Sequence, residues 1–348
     1  MRWENVELHN VAEVVTDPGT GGVRLQRIPE DLRRTLNEGA QTSMLGPGGV
    51  EIRFECDSSI ARVRLSCAGH SKIFVYHGLF QVAEPFSITE ETRTLEIEIP
   101  ERIQNLRDKR NLDGSFSPDV VRILPHGPVQ SPMILHGVEG AGIRPPASNR
   151  LPGRRYLAYG TSITQGMLAS GPHLSFPALV ARRLGADLIN LGSAGSCHCE
   201  QSMSDYIANR EDWDIATLCV STNMIGAGFS PAAFRERVDY LIHRVAETRA
   251  DRPVVCIPVL PHFRDNLLAI TKGNDAIDPE PFRRELRFAV ADCDLDNVHI
   301  VDGGEILRDI TGLTADLLHP SDHGMIEIAQ RLGPVLEALL SRGEKTHP

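Results

Sequence analysis

YLAYGTSITQG, residues 156–166, runs an apolar strand directly into Gly160 and a serine, Ser162. The glycine allows a tight turn, so the Ser162 hydroxyl is presented where the strand gives way to the next helix. Outward from this stretch, strand and helix patterns alternate: SFPALVARRLG, ADLINLG, a helix near 202–209, DIATLCVS, SPAAFRERVDYLIHRVAET and PVVCIPVLP. A helix near 282–291, VHIVDG and a C-terminal helix through IEIAQRLGPVLEALL complete the series. The 230–248 helix is the clearest element: Ser230 suits the N-cap, Pro231 suits the first helical position, and Phe234, Val238, Leu241, Ile242 and Val245 form one apolar stripe. About five buried strands alternating with helices predict an α/β fold with a doubly wound parallel sheet. Ligands of such sheets bind beyond the C-terminal ends of the strands, and that is where chemistry is expected.

Before residue 146 the pattern changes. GVEIRFEC (49–56), ARVRLSCA (61–68) and RTLEIEIP (93–100) alternate apolar and polar residues at period two. In the first of these, Val50, Ile52, Phe54 and Cys56 are expected to face a core while Glu51, Arg53 and Glu55 face water. Further strand-like pieces at 22–28, 72–77, 80–86, 120–124 and 133–138 predict a β-sandwich or jelly roll. GIRPPASNRLPGRR (142–155), rich in Pro, Gly and Arg, marks the boundary, giving an all-β domain over 1–146 and an α/β domain over 147–348.

The 36 Lys and Arg against 46 Asp and Glu leave a formal charge of -10, which argues against a nucleic-acid partner. The local cluster Arg102, Arg107, Lys109 and Arg110 is interleaved with Glu101 and Asp108 and reads as a solvated loop. No apolar run reaches the ~18 residues needed to span a bilayer, and the N-terminus lacks the pattern of an export signal. Seven cysteines without framework spacing fit reduced thiols, so a soluble cytoplasmic protein is expected.

Four positions at strand ends carry chemistry. Ser162 suits a nucleophile, although a serine after a strand also suits a helix N-cap or a turn. It does not sit in a Gly-x-Ser-x-Gly elbow, because Thr164 stands at the place of the second glycine. In DLLHPSDHG (316–324), Asp316 and His319 are close enough to project from one turn into one site, where the carboxylate would orient the imidazole that takes the serine proton. The alternative is a solvated loop before a helix. INLGSAGS (189–196) offers glycine N–H groups and CVSTNM (219–224) offers Asn223, both suited to an oxyanion hole, though glycine and asparagine are also ordinary turn residues.

The order and chemistry of these four segments resemble the SGNH, or GDSL-like, hydrolase family over about residues 154–342. The resemblance implies Ser162 as nucleophile, Asp316 and His319 as its relay, and an oxyanion hole of the Ser162 N–H, the Gly195 N–H and the Asn223 side chain. It implies a flavodoxin-like sheet. There are two departures from the family pattern: Thr161 stands where Asp is usual, and Ser221 and Met224 flank Thr222 and Asn223 where Gly-x-Asn-Asp is usual. A β-sandwich before such a domain, with stretches such as RIPEDLRRTLNEGAQ and VYHGLF, is similar to two-domain carbohydrate acetylesterases and to polyketide-tailoring acyltransferases.

Other constellations compete. Asp316, His319, Asp322 and His323 could ligate a metal, but Pro320 should interrupt the helical spacing of the two histidines. Cys197, His198 and Cys199 read as packing or as substrate-side groups. His262 and Arg264 lie in a long polar stretch, 262–280, suited to a cleft wall, a lid or a solvated loop. The expectation is therefore a serine esterase or deacylase, without metal or cofactor, acting through an acyl-enzyme on an ester of a sugar or small molecule. An acyltransferase using the same residues and a carbohydrate-binding protein with an inactive hydrolase domain are the alternatives.

Overall fold

The computed structural model describes residues 1–106 and 115–343. Arg107, Asp108, Lys109 and Arg110 of the basic cluster lie outside the described residues. The chain separates into two compact units, Met1–Arg33 with Thr42–Arg154 and Gly185–Asp187, and Arg34–Gln41 with Arg155–Leu184 and Leu188–Pro348.

Two antiparallel sheets make up most of the first unit. One pairs Val6–His9, Glu51–Phe54, Val121–His126 and Ser71–His77 in that order, with short flanking strands. The other runs Arg93–Glu98, Ile60–Cys67, Met133–Glu139, Val23–Gln26 and Glu13–Thr16. The apolar faces of both sheets join in one core, to which Leu8, Ile52, Phe54, Val63, Leu65, Leu95 and Ile123 contribute.

The expected water-facing row on Glu51–Phe54 and its neighbour Glu55 is not observed. Glu51, Arg53 and Glu55 are 7%, 0% and 8% exposed. Opposite charges, rather than water, satisfy them. The Arg53 guanidinium donates two bonds to the Asp187 carboxylate at 2.7 and 2.6 Å and one to Glu51 at 2.8 Å, while Arg122 donates to Glu51 from the adjacent strand. The Phe116 ring lies under both cations, 4.7 Å from the Arg53 guanidinium and 3.6 Å from that of Arg122. Burial alone would raise the Glu51 pKa, but the charges of Arg122 and Arg53 outweigh it and hold the carboxyl well below its ordinary range.

The second unit holds the parallel five-stranded sheet expected from the alternation. Its strands are β1 (Arg154–Gly160), β2 (Ala186–Gly192), β3 (Ile215–Cys219), β4 (Val254–Ile257) and β5 (Val298–Ile300), in the order β2-β1-β3-β4-β5. That is the flavodoxin-like doubly wound order. β3 and β4 are buried at every position, as strands covered on both faces must be. Among its helices are α1 (Ser162–Gln165), α2 (Phe176–Arg183), α3 (Gln201–Ala208), α4 (Thr222–Gly226), α5 (Pro231–Thr248), α6 (Glu280–Asp292) and α7 (Asp322–Gly343). α5 begins as its residue types demand: the Ser230 hydroxyl accepts the Ala233 N–H at 3.1 Å and Pro231 opens the helix. No helix among the described residues is long and apolar enough to cross a membrane.

Candidate functional site

β1 delivers Ser162. A side chain on Gly160 would meet Thr164 Oγ1 at 2.3 Å and the Cys219 carbonyl at 2.4 Å, so glycine is required for β1 to run beside β3 and turn into α1. Thr161, not Ser162, is the N-cap, its hydroxyl accepting the Ile163 N–H at 3.4 Å. The Ser162 Oγ is thereby left for other work, and it lies 2.8 Å from His319 Nε2. Ser162 and His319 are buried, at 6% and 8% exposure.

His319 comes from the turn before α7. Its Nδ1 lies 2.6 Å from Asp316 Oδ2. An ionised carboxylate only accepts, so Nδ1 carries the proton toward it and Nε2 is left to accept the serine O–H. The other Asp316 oxygen accepts from Thr314 Oγ1 at 2.8 Å and from the Leu318 and His319 N–H groups at 2.9 Å each. Partial burial pushes the Asp316 carboxyl up, but the bonds from the His319 backbone and ring, the Leu318 N–H and Thr314 outweigh it and hold the group well below the carboxylate range. The turn is tight enough to need a left-handed residue, Leu317 at φ 54°, whose carbonyl accepts the Phe263 N–H at 2.8 Å.

Gly195 follows β2 at φ +69°, a conformation that suits glycine, and the space where a side chain would point is open. Asn223 stands on α4, after β3. Its Oδ1 accepts the Cys197 N–H at 3.1 Å, which fixes the amide so that its Nδ2 donor faces away from Cys197. The N–H groups of Ser162 and Gly195 take no partner within the chain among the described residues. Arg34–Gln41 supports the following turn, with Asn37 Nδ2 donating to the Ser196 carbonyl at 3.0 Å and to the Glu200 carboxylate.

The competing constellations have other occupations. Asp322 accepts both the Ser170 N–H at 2.8 Å and its hydroxyl, and among the described residues no group of three His, Cys, Asp or Glu could hold a metal ion. Cys197 and Cys199 are buried and His198 packs against Phe229 at 5.2 Å between ring centroids. His262 is buried with Nδ1 3.0 Å from the Leu260 carbonyl, so it is not a solvated loop residue. Arg264 closes its own loop by donating to the Asn274 carbonyl and to Asp275. The same loop is fastened to α4 where Asn274 Nδ2 donates to the Gly226 carbonyl at 2.9 Å.

Sequence reasoning missed Gln165, whose buried Oε1 accepts the Ala194 N–H at 2.9 Å; its one available signal was its place three residues after Ser162. It also missed Leu317, whose residue type announces no left-handed turn. Ser221 was noted only as a departure, and the structure gives the departure a cost. It sits at φ 105°, where glycine is favoured, and its buried hydroxyl has no hydrogen-bond partner among the described residues. Such a backbone costs of order 1–3 kcal/mol, against roughly 0.5–1 kcal/mol of unfolded-chain entropy that a glycine would add. Ser221→Gly is expected to stabilise the protein by about 1–2 kcal/mol, read as a higher denaturant midpoint at unchanged slope; a lower midpoint would show that Ser221 is not strained.

No curated protein matches the chain. Among solved structures, the salicylyl-acyltransferase of a tetracycline biosynthetic pathway is similar at 19% identity and TM-score 0.77, over 97% of this chain and 95% of that one. A candidate GDSL-like lipase from Bacteroides ovatus is similar at 17% identity and TM-score 0.68, over 97% of this chain and 98% of that one. A family two carbohydrate esterase from Clostridium thermocellum, in complex with cellohexaose, is similar at 17% identity and TM-score 0.59, over 84% of this chain and 92% of that one. At these identities the likeness is one of fold. The model of the GDSL-like lipase/acylhydrolase family matches residues 154–337, more than half of the chain, and on that match the chain belongs to this family of enzymes acting on ester bonds.

Proposed function

We propose that this enzyme is a serine esterase or deacylase that works through an acyl-enzyme, with Ser162 as nucleophile. The observation that supports the reading most is the unbroken relay from Ser162 Oγ to His319 Nε2 at 2.8 Å and from His319 Nδ1 to Asp316 at 2.6 Å. In the proposed cycle Ser162 Oγ attacks the ester carbonyl while its proton passes to His319 Nε2. Asp316 stabilises the imidazolium, which then gives the proton to the leaving alcohol. Water repeats the sequence on the acyl-enzyme and releases the acid. The N–H groups of Ser162 and Gly195 and the Asn223 Nδ2 receive the negative charge that develops on the carbonyl oxygen.

The substrate we assign is a short acyl ester of a sugar or small molecule. The fold shared with a carbohydrate esterase solved with cellohexaose supports the sugar. Acyl transfer through the same acyl-enzyme is the second reading, supported by the fold shared with a salicylyl-acyltransferase along nearly the whole of both chains. Free thiols at all seven cysteines accord with a reducing, cytoplasmic compartment.

The test is kinetic. Against a panel of short acyl esters and acetylated sugars, Asn223→Ala is expected to lower kcat by about 10²- to 10³-fold with little change in KM, since its amide binds charge present only in the transition state. A rise in KM at unchanged kcat would make Asn223 a substrate-binding residue. The ratio of transfer product to free acid in the presence of alcohol acceptors separates the two readings.

A further inference from the structure

We infer that Gln165 is a positioning residue, holding the Gly195 segment so that its N–H is aimed as an oxyanion donor. The inference rests on the roles proposed above for Ser162, Gly195 and Asn223. α1 is a single turn that begins with Ser162 and ends with Gln165, so the nucleophile and this amide are carried by one rigid piece. Gln165 is buried, at 8% exposure, and its Oε1 accepts the Ala194 N–H at 2.9 Å. Three residues further along, the Cys197 N–H donates to Asn223 Oδ1 at 3.1 Å. Two side-chain amide oxygens, one from α1 and one from α4, thus grip the chain on either side of Gly195.

The grip answers a physical problem. Gly195 has no side chain to pack and adopts a left-handed conformation from which glycine moves at little cost. A donor that stabilises an oxyanion must already stand 2.7–3.1 Å from where the charge will develop, and reorganisation during reaction wastes its effect. With Ala194 tied to the nucleophile's own helix, Gly195 N–H and Ser162 Oγ keep a fixed separation. The second tie, through Asn223, relates the glycine donor to the amide donor. A displacement of about 1 Å in such a group costs up to roughly 10²-fold in rate.

The prediction separates this role from mere structural support. Gln165→Met, similar in shape but without an acceptor, should lower kcat by about 10- to 100-fold with KM within about threefold. It should also weaken a boronic acid that forms a tetrahedral adduct by a similar factor, and speed hydrogen exchange in a peptide spanning 193–197. Gln165→Glu retains an oxygen facing Ala194 N–H, and burial favours its neutral form, so it should recover most of kcat and of the exchange protection. Should the Met variant not fold, the Glu variant alone carries the test: kcat depressed as deeply as Asn223→Ala would overturn the inference. A folded Gln165→Met with wild-type kcat would overturn it equally. Ser162→Ala measured alongside keeps the two levels apart. If that variant stays active, the site assignment fails; if it is inactive while Gln165→Met is fully active, only the role of Gln165 fails.

Discussion

Ser162→Ala is expected to lower ester turnover by about 10⁶-fold while leaving the fold and its melting temperature nearly unchanged. The size follows from what is lost. His319 Nε2 faces Ser162 Oγ at 2.8 Å, and without that oxygen the relay has nothing to activate. Residual catalysis of roughly 10³- to 10⁴-fold over water is expected to remain, because the proposed oxyanion donors would still bind the carbonyl and orient an attacking water. The fold is spared because the cap of α1 is Thr161, so the substitution removes neither a helix cap nor a residue of the apolar core. Circular dichroism and thermal melting beside the kinetic measurement would check both halves. Near wild-type hydrolysis by a folded Ser162→Ala protein would remove the nucleophile from the account.

Asp316→Asn should cost about 10⁴-fold in kcat with a smaller change in KM. Asparagine can turn an N–H group toward His319 Nδ1, which must then accept, and the ring proton moves to Nε2. An Nε2–H cannot accept the Ser162 proton. The loss is therefore one of tautomer and charge. The substitution has a second consequence, in acid. The Asp316 carboxyl titrates below its ordinary value, so it adds stability that is present above its unfolded pKa of about 4 and is lost as pH falls through the folded value. Unfolding followed between about pH 2 and pH 5 should accordingly show a shallower acid decline in Asp316→Asn than in the wild type. Turnover within tenfold of wild type would mean that His319 does not depend on Asp316 for its orientation.

Local chemistry made much of this fold legible. α5 could be read almost to the residue, because Ser230 and Pro231 start it and Phe234, Val238, Leu241, Ile242 and Val245 share a face that is wholly buried. Residues 60–65 and 94–98 alternate exposed and buried positions as their period predicts, while Ser66 is buried where alternation would expose it. Glu51–Phe54 shows where that rule stops. Alternation places a residue on a face, but whether that face meets water depends on what arrives there, and the partners of Arg53 and Glu51 are Asp187 and Arg122, far away in sequence. No window of sequence contains that pairing.

The same distinction applies at the site. Ser162, Asp316, His319, Gly195 and Asn223 were each legible as residue types suited to a task, and the structure brings Ser162, His319 and Asp316 into one hydrogen-bonded chain. What supports them was not legible. Gln165 meets Ala194 on another strand's loop, and Leu317 adopts a left-handed conformation in a turn where its carbonyl accepts the Phe263 N–H. Such roles belong to the packing around a residue and leave little trace in its type.

The central claim, that Ser162 is the nucleophile, is tested most directly by irreversible phosphonylation. The protein would be treated with a fluorophosphonate, its activity followed in time, and the site of modification mapped by peptide mass spectrometry. The account predicts one adduct per chain, on the peptide containing Ser162, with activity lost in proportion to labelling and no adduct on Ser162→Ala. Full activity after complete labelling, or an adduct that forms on another residue and abolishes activity, would contradict it.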